Sequence, residues 1–107
     1  MKIECLYSQG SDSYREDGLI VTSNLFGVLD GTNAPYAPKY PMRKFNGMSG
    51  GEMVSRLCER ICHVNPDMPP SILIMLLNEA VGSEQEIIGI PRNDAGLLAG
   101  AAFAFAH

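Results

Sequence analysis

Three carboxylates stand at the ends of two neighbouring apolar runs of the sequence. Glu16 and Asp17 precede the run Gly18–Thr22, and Asp30 comes directly after the run Leu25–Leu29. Carboxylates that converge without a matching lysine or arginine repel one another, and a hard divalent cation relieves that repulsion. Ligands that are all oxygen atoms select magnesium, calcium or manganese over zinc. The chemistry that these residues suggest is therefore that of a divalent cation site.

A tight turn between the two runs would bring the carboxylates together. The runs are typical of two antiparallel strands joined by a two-residue turn at Ser23–Asn24. Counting outward from that turn places Asp17 opposite Asp30, with Glu16 close by, and Gly31 would let its backbone carbonyl approach the ion. Spacing alone leaves a second interpretation equally open, in which these are surface carboxylates and Asp30-Gly31 is an ordinary turn.

The other elements follow from periodicity and turn residues. Both hairpin strands are largely apolar, which indicates burial on both faces. Ser49 is a predicted N-cap with Glu52 at capping-box spacing, and Pro70 or Ser71 begins a second helix. In chain order we predict a strand over Lys2–Tyr7, a loop over Ser8–Asp17, the hairpin, a proline-rich loop over Thr32–Ser49, helices over Ser49–Cys62 and from Pro70 to about Ile88, and a small, buried strand over Gly100–Ala106.

This order of strand, hairpin, two helices and strand predicts an α+β fold. A chain that stops inside a strand predicts a single partial domain over residues 1–107, and the unpaired edge would favour self-association of the isolated chain. The predicted core-facing residues of the helices are Met53, Val54, Leu57, Ile61 and Val64, then Ile72, Leu73, Met75, Leu76, Leu77, Ala80 and Val81.

Composition excludes several classes of function. With 46% hydrophobic and 19% charged residues the 107-residue chain is globular. The net charge of −4 and the scattered basic residues argue against nucleic-acid binding. No apolar stretch reaches the roughly 18 residues of a membrane span, and Lys2 and Glu4 interrupt any secretory signal. Three cysteines in such a chain indicate reduced thiols and a cytoplasmic protein.

Two other groups of residues have ordinary structural explanations. Cys58, Cys62 and His63 have a spacing that can bind a metal, but buried cysteines more often pack as small hydrophobic residues. Ser49-Gly50-Gly51 at a helix start could bind an anion through free N–H groups, although capping and close packing explain it better.

Taken together, the motifs resemble the N-terminal portion of the metal-dependent protein serine/threonine phosphatases of type 2C, the PPM-type family. The segments that carry the resemblance are Arg15-Glu16-Asp17-Gly18, Leu25-Phe26-Gly27-Val28-Leu29-Asp30-Gly31 and Ser49-Gly50-Gly51-Glu52-Met53-Val54-Ser55. The family has an Asn-Glu-Asp segment, a Phe-Gly-Val-Phe-Asp-Gly segment and a glycine-led first helix in this order. Gly100–Ala104 is similar to the strand that follows the family's two helices.

The resemblance implies the N-terminal part of an αββα four-layer sandwich with two manganese or magnesium ions. It implies that Asp30 is catalytic and bridges both ions, that Gly31 offers its carbonyl oxygen, and that Glu16 and Asp17 bind a metal or its waters. The implied reaction is hydrolysis of phosphoserine or phosphothreonine in a phosphoprotein substrate by a metal-activated water.

Departures from the family pattern leave alternatives open. Arg15 stands where the family has asparagine, and Asp12 stands where its phosphate-binding arginine is usual; Arg15 could take over phosphate binding. The family's remaining metal aspartates lie far downstream. A non-catalytic regulatory or binding module of the same fold, and a small metal- or ligand-binding domain complete as written, are the competing hypotheses. For the isolated chain we expect weak manganese or magnesium binding, mainly through Asp30, and at most trace hydrolysis.

Overall fold

The computed structural model describes residues 15–33, 45–93 and 98–106. Its elements are β1 (Asp17–Val21), β2 (Phe26–Thr32), α1 (Gly50–Val64), α2 (Pro70–Ile87) and β3 (Gly100–Ala106). The three strands form an antiparallel sheet in the order β1-β2-β3, which confirms the predicted α+β class. The predicted strand over Lys2–Tyr7, and most of both predicted loops, lie outside the described residues.

The hairpin has the predicted turn and a longer second strand. Thr22 N donates to Leu25 O at 2.8 Å, and the Thr22 hydroxyl accepts from the backbone N of Asn24 and of Leu25, which closes the two-residue turn. β2 runs past its predicted end at Leu29 as far as Thr32. The extension follows from pairing with β3, because Asp30, Gly31 and Thr32 stand opposite Ala102, Ala101 and Gly100.

Helix α1 begins as predicted. Ser49 is the N-cap and its Oγ accepts from Glu52 N at 3.2 Å. The reciprocal half of the capping box is replaced, since the Glu52 carboxylate accepts instead from Arg15 N. In α2, Pro70 occupies the first turn, where its missing N–H is not needed, and Gly82 lies within the helix.

The core lies between the sheet and the helices. Ile20 and Leu29 of the sheet pack in one cluster with residues of both helices and with Ile90 and Ala99. Cys58 and Cys62 are buried in this cluster, as predicted for core packing. The buried helix residues of the cluster are Met53, Val54, Leu57, Cys58, Cys62, Leu73 and Leu77.

Several burial predictions were wrong. The helices cover only one face of the sheet, so Val28 is 48% exposed and Ala102 and Ala104 are also exposed, although both faces had been predicted to be buried. On the helices, Val64, Ile72 and Met75 are exposed rather than core-facing. Among the described residues, neither helix is long and apolar enough to cross a membrane.

Candidate functional site at the open end of the hairpin

The end of the hairpin opposite its turn carries an aspartate on each strand. Asp17 and Asp30 are direct partners in the register, which confirms their predicted juxtaposition. Gly31 N donates to Glu16 O at 3.0 Å, which makes Glu16 and Gly31 a hydrogen-bonded pair. The next pair inward, Asp17 with Asp30, is therefore a non-hydrogen-bonded pair, the kind in which opposing side chains are closest. Both aspartates are exposed on the sheet face that the helices leave uncovered.

Glu16 shares this end of the hairpin but its carboxylate lies on the other face. Successive residues of an extended chain point to opposite sides, so Glu16 points away from the side of Asp17. The Glu16 carboxylate accepts from Asn33 Nδ2, at 3.2 Å for each oxygen. A Cβ atom at Gly51 would lie 2.7 Å from Glu16 Oε2, which places the carboxylate against the first turn of α1.

The three carboxylates therefore share one end of the hairpin, as predicted, but they lie on two faces. Asp17 and Asp30 share a face, whereas Glu16 is held by Asn33 near α1. Within residues 15–33, 45–93 and 98–106, no three His, Cys, Asp or Glu side chains are grouped so that they could hold a metal ion. The metal-binding roles of Glu16, Asp17, Asp30 and Gly31 therefore stay predictions.

Gly31 lies where two backbones pass very close to each other. A Cβ atom at this position would be 2.3 Å from Gly51 O and 2.5 Å from Glu16 O. No side chain fits in that space. The structure therefore gives Gly31 a packing role beside its predicted role as a carbonyl ligand.

The N-terminus of α1 has little capacity left for an anion. Gly51 N donates to Asn33 Oδ1 at 3.0 Å, and Glu52 N donates to the Ser49 cap. These bonds occupy two of the N–H groups that a bound anion would need. The capping interpretation of Ser49-Gly50-Gly51 is confirmed.

Arg15, the predicted phosphate-binding residue, lies beside a carboxylate of α1. Its Nη2 donates to Glu59 Oε2 at 3.3 Å, and its side chain is 43% exposed. Its backbone N donates to Glu52. Its predicted role in binding phosphate stays a prediction.

The sequence did not predict that a set of polar residues on α1 forms hydrogen bonds with the start of β1. Each of these side chains hydrogen-bonds to the backbone between Arg15 and Leu19. Two accept from N–H groups, and two donate to carbonyl oxygens. The four residues are Glu52, Ser55, Arg56 and Glu59, whose partners are Arg15 N, Glu16 O, Asp17 O and Leu19 N respectively.

Two of these contacts cover the free edge of β1, an edge strand of the described sheet. Because Glu16 and Gly18 face β2, the backbone groups of Asp17 and Leu19 point outward. Arg56 Nη2 donates to Asp17 O, and Leu19 N donates to Glu59 Oε2 at 2.8 Å. Side chains of α1 thus take the place of a neighbouring strand at this edge.

A signal for this arrangement exists in the sequence. Glu52, Ser55, Arg56 and Glu59 follow the spacing of three, four and seven residues that puts side chains on one face of a helix. Such a polar stripe ordinarily faces solvent, and spacing within the helix does not indicate a partner about 40 residues away in the chain.

Burial favours the protonated form of the two α1 cysteines. Burial raises the pKa of the Cys58 thiol to about 11, with smaller contributions from Cys62 and Glu59, and burial likewise raises that of Cys62 to about 11. Protonated, buried thiols suit the packing role of small hydrophobic residues. His63 Nδ1 lies 2.6 Å from Glu59 O, the carbonyl one turn earlier in the helix.

A cavity among the described residues lies away from the aspartates. It has a volume of about 320 Å³ and lies between α1, α2 and β3, with Val54, Leu77, Val81 and Phe103 among its walls. Asn78, Gln85 and Arg92 are its polar residues. It is on the helix side of the sheet, so Asp17 and Asp30 do not line it.

Comparison of the chain with models of protein families, with curated proteins and with solved structures finds no match in any of the three.

Proposed function

We propose that this chain is the N-terminal part of a metal-dependent phosphatase of the type 2C kind, which hydrolyses phosphoserine or phosphothreonine in proteins. The observation that supports it most is the direct opposition of Asp17 and Asp30 at one end of the hairpin. The Asp30-Gly31 step adjoins this pair as in the motif order of that family, whereas Arg15 stands where the family has asparagine.

Charge makes a cation the natural partner of the two aspartates. Like charges directly opposite on a strand pair destabilise it. Among the residues that the structure describes, no lysine or arginine forms an ion pair with either aspartate, since Arg56 binds the Asp17 backbone carbonyl instead. A divalent cation would supply the missing countercharge.

The donor set fits a hard cation in part. Asp17 and Asp30 offer carboxylate oxygens, and Mg²⁺ or Mn²⁺ prefers such ligands but needs about six. In the proposal Asp30 would hold both ions, Gly31 would add its carbonyl oxygen, and Glu16 would contribute its carboxylate, which now accepts from Asn33. Two-metal sites supply an activated water and stabilise charge on the phosphoryl oxygens. Arg15 would hold the phosphoryl group through its guanidinium.

The open face of the sheet supports the four-layer sandwich of the proposal. The helix-free face carries Val28 together with Ala102, Ala104 and Ala106 of β3, which are small, apolar and exposed. A second sheet packed at about 10 Å would bury this face, as the inner faces of β-sandwiches are buried. The same exposed surface supports self-association of the isolated chain. The free thiols of Cys58 and Cys62 suit a cytoplasmic location.

A non-catalytic module of the same fold is the second candidate. The observation in its favour is that Glu16 binds Asn33 and that no three acidic side chains group together in the described parts of the chain. Such a module would bind one ion weakly through the two aspartates and would not turn over phosphoserine peptides.

Calorimetric titration with Mn²⁺ tests the proposed site. Asp30→Asn keeps the shape of the side chain and removes one of two opposed charges, so we expect Mn²⁺ affinity to fall at least tenfold, which is about 1.4 kcal/mol. The matched control is Asp67→Asn, because Asp67 is an exposed aspartate bonded to Asn24 at the turn end of the hairpin. Equal affinities of the two variants for Mn²⁺ would contradict the proposal.

A further inference from the structure

The cavity of about 320 Å³ between α1, α2 and β3 has mainly apolar walls. Buried Val54 and Leu77 line it from the two helices, and Phe103 lines it from β3. Asn78 of α2, which is exposed, is also a lining residue, so the cavity reaches the protein surface. A cleft of this size with apolar walls and few polar groups is the usual form of a small-molecule site.

The ring of Phe103 gives the cavity an aromatic wall. Phe103 is the partner of Leu29 in the sheet, and Leu29 is buried against the helices, so the ring lies on the helix side. The ring stacks on Phe105, with 4.7 Å between the centroids and 17° between the planes. Phe103 is nevertheless 39% exposed, so ring surface in the cavity wall is open to a planar partner.

Arg92, a charged residue in the cavity wall, is already paired. Its Nη1 and Nη2 donate to the two carboxylate oxygens of Glu79 at 2.9 and 3.0 Å, and Nη2 also donates to Ser83 Oγ at 2.7 Å. Its Nε forms an ion pair with Glu86. An anion would meet these two carboxylates, and a cation would meet the guanidinium, so the arrangement favours an uncharged ligand.

The two amide side chains that line the cavity differ in what they offer a ligand. Gln85 accepts from Ala99 N and donates to Ala99 O, so both ends of its amide are engaged by the backbone. Asn78 is at the surface end of the cavity, where its amide can donate and accept. A polar group on the edge of a ligand therefore has a partner where the cavity opens.

We propose that this cavity is a binding site for a small, planar aromatic molecule that has no net charge and one hydrogen-bonding group at its edge. The ring of the ligand lies against Phe103, and its polar group bonds to Asn78. The inference does not rest on the proposed function, because the cavity is on the opposite side of the sheet from Asp17 and Asp30.

The test is titration of the protein with indole, a neutral two-ring probe with one N–H group, followed by NMR of the methyl groups. We expect the signals of Val54, Leu77 and Val81 to shift with a common saturation curve, and that of Val28 on the opposite face to stay unchanged. Indole-3-acetate and tryptamine carry the same rings with a negative and a positive charge. We expect each to bind about fivefold more weakly than indole, because its charge has to be desolvated without a partner.

Two neighbouring alanines of β3 provide matched variants. Ala101 lines the cavity, whereas Ala102 is exposed on the other face of the sheet. Ala101→Leu fills part of the cavity, so we expect its affinity for indole to fall by about tenfold, the cost of overpacking. Ala102→Leu should bind indole as the parent does.

A third variant decides the question if Ala101→Leu does not fold. Phe103→Leu keeps an apolar wall and removes the ring, so we expect indole to bind about three- to tenfold more weakly, the range that loss of one aromatic stack allows.

Three results would overturn the inference. The first is the absence of any shift of the cavity methyl signals up to the solubility limit of indole. The second is an affinity for indole that is the same in Ala101→Leu and Phe103→Leu as in Ala102→Leu, which would place the binding elsewhere. The third is tighter binding of indole-3-acetate than of indole, which would show that Arg92 makes the cavity an anion site.

Discussion

Two junctions between a helix and the start of a strand are built from opposite kinds of side chain. Before β3, Gln85 of α2 binds both backbone groups of Ala99, with Ala99 N donating to Oε1 at 2.9 Å and Nε2 donating to Ala99 O at 3.1 Å. At the start of β1, mostly charged residues of α1 bind the backbone from Arg15 to Leu19. Gln85 is 1% exposed, whereas the charged junction is partly open to water.

The two junctions differ in what they contribute to the protein. One stabilises the fold, and the other can change its side-chain arrangement. A buried amide that satisfies two buried backbone groups contributes stability and has one good arrangement. A partly exposed group of charges is worth little to stability, but an arriving ion can rearrange it at low cost. The proposed site lies at the junction of the second kind.

We expect the largest change in stability from a substitution that removes the neutral junction between Gln85 and Ala99. Gln85→Ala leaves the N–H and C=O of Ala99 buried without partners, so we expect the free energy of unfolding to fall by about 2–4 kcal/mol. Urea denaturation measures this loss. Glu84→Ala is the control, as an exposed neighbour on the same helix, and should change stability by less than about 0.5 kcal/mol. A Gln85→Ala variant as stable as the Glu84→Ala variant would remove the contrast between the junctions.

A smaller effect is expected from crowding the charged junction. In Gly31→Ala the new methyl group would meet the backbone of Gly51 and of Glu16, neither of which is a flexible side-chain end. We expect a loss of about 1–3 kcal/mol, the usual cost of overpacking. Gly100→Ala is the control, because its Cβ would meet only Thr32 Oγ1 at 3.9 Å. Equal stability of the two variants in urea denaturation would show that the backbones at Gly31 are not closely packed.

Local sequence signals predicted the elements and one key contact. The turn residues and the two apolar runs placed Asp17 opposite Asp30. The cap at Ser49 and the helix start at Pro70 were also predicted correctly, because each depends on neighbours in the chain. Two features were not predicted: the face of the sheet on which the Glu16 carboxylate lies, and the hydrogen bonds between α1 side chains and the β1 backbone. Both depend on how α1 crosses the sheet. Gln85 gave no signal, because a polar residue late in a helix ordinarily faces solvent.

Exposure was the other feature that periodicity could not settle. Apolar strands suggested two covered faces, but whether a face is covered depends on which layers pack on it. Val28, Ala102 and Ala104 are exposed on the face that carries the two aspartates.

The most direct test of the central claim, that Asp17 and Asp30 together hold a divalent cation, is paramagnetic broadening of backbone amide signals by substoichiometric Mn²⁺. We predict that the amide signals of Asp17, Asp30 and Ala102, the partner of Asp30 on β3, broaden first, and that Asp30→Asn abolishes this selectivity. Broadening that begins instead at Glu79 and Glu86 on α2, or that is the same in Asp30→Asn as in the parent, would contradict the claim.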